Sequence, residues 1–237
     1  MAALMLLFSP SFYYLNFSWK MFGILILISA IDAGANYFYF RTFENTEASI
    51  AAPMLSLAPA FTFFFGWLIL QESVSWRSFL LAFLIILSVV YFSVDFKNFK
   101  NFTSQTLLPA LISSFLFGLS AIPTKYLLVN LHAINAPTLY MFRAGFVAFF
   151  VLLVLGFNIK ELSVKQYRWI FVRSLFVIAQ WIFLYYALVQ GSAGVSVTIA
   201  NITPIFVFVL GIIFLREKFT WKKILAALLI LVLSFII

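Results

Sequence analysis

The sequence predicts an all-α membrane protein, a polytopic bundle of eight or nine transmembrane helices arranged in two repeats. Composition is the first observation behind this prediction: 65% of the residues are hydrophobic, 9% are charged and the mean hydropathy is +1.12. Soluble domains are about one quarter charged, so this chain lacks the polar surface that a soluble core requires. The second observation is an internal duplication, because residues 59–76 and 204–221 align without a gap.

Eight apolar runs approach the roughly 20 residues that a helix needs to cross the hydrocarbon layer. Charged residues, Pro, Gly or Asn bound each run, and the short connections make neighbouring helices antiparallel. In chain order, the predicted spans are Phe22–Phe40, Ala48–Leu70, Ser78–Val94, Thr106–Leu128, Pro137–Phe157, Trp169–Val189, Gly194–Leu215 and Lys222–Ile237. A ninth run, Ala2–Phe17, contains Pro10 and is marginal as a span. A cleaved signal peptide is the alternative for it, but the run lacks a basic leading region.

The duplicated stretches are offset by 145 residues and share residue types that are scarce in this chain. The scarce identical pairs are Pro59 and Pro204, Gly66 and Gly211, Glu72 and Glu217, and Trp76 and Trp221. At the same offset, the run Thr106–Leu128 has no counterpart in the first half. We therefore expect a first repeat over residues 1–95 that lacks its first helix, a loop over 96–105 and a second repeat over 106–237.

Asp32 is the most informative polar residue within the predicted spans. An ionisable side chain at membrane depth is costly and normally faces a cavity or a partner. Asn36 follows four residues later, which places both residues on one helical face. The corresponding region of the second half carries Gln180 instead, so the two halves share a frame but differ in chemistry. A substrate or ion path and a purely structural pair with a neighbouring helix are both open for Asp32.

Two further polar residues are candidates for the same path. Arg143 lies about two turns into its span, where it could bind an anionic substrate, neutralise Asp32 or reach the headgroups. Asn201 precedes Pro204 by three residues. It could recapture helix backbone groups or form a hydrogen bond to a substrate.

Proline and glycine recur in both copies of the duplicated stretch. Pro59 and Pro204 fall inside predicted helices, where each removes a backbone donor and frees a carbonyl. Such a proline serves either as a hinge beside a cavity or as a packing kink. Gly66 and Gly211 allow close helix approach, and we favour packing over substrate contact for them.

The paired features resemble the drug/metabolite transporter superfamily, in particular its EamA-like members. Each copy has a small-residue entry, a proline, a glycine, a Leu-x-Glu motif, and a hydroxyl residue followed by Trp. The entries are Ala48–Ala52 and Ala193–Val197, and the final pairs are Ser75-Trp76 and Thr220-Trp221. The resemblance implies two inverted five-helix repeats, of which the first is N-terminally shortened here.

The predicted function is a secondary transporter, an exporter or exchanger, that moves a small organic metabolite by alternating access between two repeats. We expect a multi-pass protein of the cell membrane, in contact with lipid, without cofactor or metal and without enzymatic activity. The 15 basic residues are spread over short loops, which argues against nucleic acid as a partner. The alternatives are a non-transporting or degenerate membrane subunit and, less favoured, a lipid-modifying enzyme. Coupling to a proton or ion, a homodimer, and the orientation in the membrane stay open.

Overall fold

The computed structural model describes residues 13–44, 55, 57–93, 104–155, 163–201 and 232. Within these residues the chain is helical. Its helices are α1 (Trp19–Glu44), α2 (Ala58–Leu70), α3 (Trp76–Ser93), α4 (Ser104–Lys125), α5 (Ala136–Leu155), α6 (Val164–Gln190) and α7 (Ala193–Ala200). A π-helical segment, Tyr126–Asn130, follows α4 directly.

Four of the described helical segments are long and apolar enough to cross a membrane. They are Trp19–Glu44, Leu108–Asn130, Ala136–Val154 and Val164–Gln190. Each coincides with one of the predicted apolar runs, so a multi-pass helical membrane protein is confirmed. The count of eight or nine helices and the division into two repeats remain predictions. Pro204, Gly211 and most of the last two predicted spans lie outside the described residues.

The start of α2 corrects one expectation about proline. We expected Pro59 in the interior of its helix, but it occupies the second position of Ala58–Leu70. The first N–H groups of a helix have no partner within it, so a proline here removes no hydrogen bond. Pro59 therefore lies at the start of the described helix Ala58–Leu70, and its role as a hinge or a packing kink stays a prediction. The helix ends at Gln71, which adopts a left-handed conformation with φ of 52°.

Contacts divide the chain into two compact units. The first comprises Met1–Ala33 and Pro123–Gln190. It contains the first part of α1, the π-helical segment, α5 and α6, and its buried apolar residues include Met21, Leu25, Leu127, Leu139 and Leu188. The segment before α1 pairs with the loop before α5, since the Asn16 N–H donates to the carbonyl of Ala133 at 2.7 Å. These contacts fix the end of the unit at which α1 and α5 begin.

The second unit comprises Gly34–Ile122 and Gly191–Ile237, and small residues allow its helices to approach closely. A Cβ atom on Gly118 would lie 2.8 Å from the carbonyl oxygen of Ala58. On Gly194 a Cβ atom would lie 2.4 Å from the ring of Phe63. The Thr62 hydroxyl donates to the Ala58 carbonyl at 3.0 Å. Membrane helices rely on such packing because water supplies no drive between them in lipid.

Large apolar side chains cover the outside of the described helices. Trp19 at the start of α1, and Phe176 and Phe183 on α6, are each more than 70% exposed. In a soluble protein such a surface would promote aggregation. Around a bundle of membrane-spanning helices, these side chains contact lipid.

Candidate functional site

A buried ion pair joins α1 to α5 in the first unit. The Nε of Arg143 donates a hydrogen bond to Oδ2 of Asp32, and both side chains are only 5% exposed. Both residues lie within apolar segments that can span the membrane. A single charge at this depth would be strongly unfavourable, whereas the pair is neutral as a whole. Of the interpretations left open for Arg143, neutralisation of Asp32 describes the contact that it makes.

The other side of the Arg143 guanidinium is held by two hydroxyl groups. Its Nη1 donates to the Oγ1 of Thr124 at 3.0 Å and to the Oη of Tyr185 at 2.9 Å. The rings of Trp181 and Tyr185 lie 5.0 and 5.5 Å from the guanidinium carbon. Distances of this size allow a favourable cation–π interaction. Residues of α1, α4, α5 and α6 therefore converge on one guanidinium, and we call these five residues the Arg143 cluster.

Thr124 reaches the cluster from an irregular stretch of helix. Pro123 precedes it and removes one backbone donor. The π-helical segment Tyr126–Asn130 begins two residues later, and it closes with a hydrogen bond from the Leu131 N–H to the carbonyl of Tyr126 at 3.0 Å. Insertions of this kind are frequent at functional sites because they redirect side chains. Thr124 is not among the residues predicted from the sequence, although the neighbouring Pro123 marks the irregularity.

Two other predicted path residues lie on the same helices as members of the cluster. Asn36 is half-buried and follows Asp32 by one turn, in the part of α1 that belongs to the second unit. Gln180 is exposed, although its neighbour Trp181 faces the guanidinium. The structure thus joins Asp32 to Arg143, and it leaves Gln180 on the surface of the described part of the chain.

Asn201 forms the C-terminal cap of α7. Its side-chain Nδ2 donates to the carbonyl of Val197 at 2.8 Å, and its backbone N–H also donates to that carbonyl. Of the two interpretations left open, recapture of helix backbone groups describes this contact.

Gly66 and Glu72 meet at the end of α2. A Cβ atom on Gly66 would lie 3.2 Å from Oε2 of Glu72, so an alanine there would press on the carboxylate. The Glu72 carboxylate accepts the N–H of Ala193, the first residue of α7, at 2.9 Å. A negative charge at a helix N-terminus is favourable. The helix that Glu72 contacts thus begins far along the chain from it.

The chemistry available to the Arg143 cluster follows from its groups. A guanidinium presents a planar edge that matches a carboxylate, and here Oδ2 of Asp32 accepts a hydrogen bond from Nε on that edge. A carboxylate such as Asp32 can in turn accept a proton or a substrate ammonium. In the part of the chain that the structure describes, no three His, Cys, Asp or Glu side chains lie close enough to hold a metal ion.

Comparison with known proteins gives the same fold and points to transport. The profile of the EamA-like transporter family matches residues 1–94 and 105–237. An uncharacterized transporter of Methanothermobacter thermautotrophicus (strain Delta H) is 26% identical over 202 residues, which cover 83% of this chain and 59% of that protein. This chain thus spans about three fifths of the length of the curated relative that it matches.

A solved crystal structure is similar in fold, with a TM-score of 0.72 over 93% of this chain and 78% of the other. The two sequences are 15% identical, so this likeness shows the fold alone. The family match covers far more than half of the residues, and it agrees with the helical membrane architecture and with the paired motifs. The chain therefore belongs to the EamA-like transporter family, as its resemblance to the drug/metabolite transporter superfamily predicts.

Proposed function

We propose that this chain is a secondary transporter of a small organic metabolite, in which the Asp32–Arg143 pair lies on the solute path. Alternating access of one repeat against the other would move the solute without nucleotide hydrolysis. The observation that carries the proposal is a paired charge buried within apolar spans of a transporter-family protein. Charged residues inside membrane helices are commonly kept for transport, because their burial contributes little to stability.

The surroundings of Arg143 support a binding role over a purely structural one. Two neutral hydroxyl groups hold Nη1 independently of Asp32. The guanidinium would therefore keep its orientation when Asp32 is displaced by a solute or takes up a proton. Trp181 and Tyr185 add aromatic surface for the apolar part of an organic solute. A purely structural pair would also need the two hydrogen bonds, so the aromatic surface is the feature that favours a binding role.

Counterflow in proteoliposomes tests the proposal. Vesicles are loaded with one unlabelled solute class at a time, and entry of the labelled solute is followed for amino acids, nucleosides, sugars, organic acids and organic cations. We expect saturable exchange of one class by the wild type. Glutamine carries no charge and cannot form an ion pair. For Arg143→Gln we therefore expect the exchange rate to fall by about 100-fold.

The matched control is Glu44→Gln, which removes an exposed charge at the end of α1. This variant should exchange like the wild type. If Arg143→Gln is correctly folded and also exchanges like the wild type, the pair is structural and lies off the path. If the folded wild type exchanges no class at all, the result favours the alternative of a non-transporting membrane subunit.

A further inference from the structure

We propose that the solute is an organic monocarboxylate that moves together with one proton, and that Asp32 is the group that carries the proton. This inference rests on the proposed transport function and names its substrate class. Without solute, the Asp32 carboxylate accepts a hydrogen bond from Nε of Arg143. When solute is bound, its carboxylate accepts this hydrogen bond instead, and Asp32 takes up a proton and moves away from the guanidinium.

The geometry of Arg143 allows this exchange of one carboxylate for another. Asp32 contacts the guanidinium at Nε, while Thr124 and Tyr185 hold Nη1 through neutral oxygens. Removal of Asp32 therefore leaves the guanidinium anchored and oriented. The group that replaces Asp32 at the guanidinium must have the same planar form with two oxygen atoms. A carboxylate meets this requirement without rearrangement of the other contacts.

Charge balance selects a monoanion and one proton. The empty site is neutral, because the Asp32 charge cancels that of Arg143. For an anionic solute, the loaded site is neutral again only if the solute carries a single negative charge and Asp32 is protonated. A phosphate ester carries about −1.5 to −2 charges at neutral pH and would leave the site negative. An organic cation would leave it positive, and an uncompensated charge at this depth is strongly unfavourable.

The titratable groups near Asp32 include Arg143 and two tyrosines. Arg143 and Tyr185 interact with it electrostatically, and Tyr140, which is buried on α5, interacts with Tyr185. Both tyrosines are neutral acids, and Arg143 keeps its proton in proteins. The proposed proton is therefore assigned to Asp32, while Arg143 stays charged.

The test measures uptake of labelled pyruvate and gluconate into proteoliposomes, with the pH gradient and the membrane potential set independently. For the wild type, we expect an alkaline interior to drive accumulation about tenfold per pH unit. The membrane potential should have no effect, because one proton and one monoanion enter together. The interior pH, read with a trapped dye, should fall in step with uptake.

Asp32→Asn resembles protonated Asp32 and gives the sharper result. Its empty site carries the charge of Arg143 and its loaded site is neutral, so each uptake moves one net negative charge inward. We expect exchange of pyruvate or gluconate to persist while the pH gradient loses its effect. Accumulation should instead rise about tenfold for each ~60 mV of interior-positive potential.

A second variant keeps the test decisive if Asp32→Asn does not fold. Arg143→Lys retains the positive charge and can still pair with Asp32, but it lacks the planar edge. We expect its half-saturating carboxylate concentration to rise by at least about tenfold, with proton coupling intact.

Three results would overturn the proposal. They are wild-type carboxylate uptake that ignores the pH gradient, Asp32→Asn uptake that stays proton-driven, and exchange of only neutral or cationic solutes. In the last case the chain is still a transporter, so the proposed function stands and only the substrate class is wrong. Failure of every solute class in counterflow would instead remove the proposed function itself.

Discussion

At the scale of single residues, the Arg143 cluster concentrates the unusual chemistry of this chain. Desolvation of an ion pair costs several kcal/mol per charge, and only good geometry and further hydrogen bonds recover it. Arg143 makes further hydrogen bonds of this kind to Thr124 and Tyr185, besides its contact with Asp32. Loss of one charge should be far worse than loss of both, because the remaining charge would stay buried without its counter-charge.

A double-mutant cycle checks this dependence. We expect Asp32→Asn and Arg143→Gln each to destabilise the fold by about 3–5 kcal/mol. The double variant should be less destabilised than either single variant, because no uncompensated charge stays buried in it. The measurement is the unfolding free energy in a mild detergent. Strictly additive effects would mean that the two charges do not depend on each other in the membrane-like environment.

The sequence predicted the members of this pair but not the pair itself. Asp32 and Arg143 were recognisable because each is an ionisable residue within an apolar span. Their contact joins helices that are far apart in the chain, and hydrophobic periodicity carries no information on such distances. Thr124 was missed because a threonine in a membrane helix usually bonds to its own backbone, which leaves no distinct sequence signal. For Asn201 the sequence left two roles open, and the cap of the helix backbone was one of them.

At the scale of helices, close packing through glycine defines the second unit. Gly118 on α4 faces the backbone of α2, and Gly194 at the start of α7 faces the ring of Phe63. The two contacts differ in how they could relax. A side chain such as Phe63 can shift, whereas the carbonyl of Ala58 is part of a helix and cannot move without it.

Alanine substitutions test this packing. Gly118→Ala should destabilise the protein by about 1–3 kcal/mol, because its Cβ would overlap the α2 backbone. The control is Gly145→Ala on α5, where nothing lies within 4 Å of the added atom. There we expect no loss, or a gain of about 0.5–1 kcal/mol from the greater helix propensity of alanine. Melting temperatures in detergent would show it, and equal effects at the two sites would refute close packing at Gly118.

Helix prediction succeeded where the length of an apolar run is enough to indicate a membrane span. α1, α4 with its π-helical extension, α5 and α6 coincide with predicted runs, since a span of about 20 apolar residues has few alternatives in lipid. The position of Pro59 was predicted less well. The apolar run Ala48–Leu70 continues upstream of the proline, and composition does not reveal that α2 begins at Ala58. The contact of Glu72 with α7 could not be predicted either, because it joins two copies of a motif that are far apart in the sequence.

At the scale of the whole molecule, composition and internal duplication were sufficient to predict the family. Few charges, long apolar runs and paired Pro, Gly and Glu positions predicted a multi-pass transporter-like protein, and the family match agrees. The solute could not be predicted in the same way. A fold of this type supplies a scaffold, while the cargo depends on a few side chains at the site. We propose that the Arg143 cluster is the part of the described chain where that choice is made.

The most direct measurement asks whether water and solute reach the Arg143 cluster. The chain has no cysteine, so Thr124→Cys places a single thiol beside Arg143. Thr62→Cys is the matched control, since Thr62 is equally buried but lies in the close contact of α2 with α4. In proteoliposomes, a membrane-impermeant thiol reagent should label position 124 and not position 62, and transported solute should slow the labelling. If position 124 of a protein that still exchanges solute is as unreactive as position 62, the ion pair lies off the solute path.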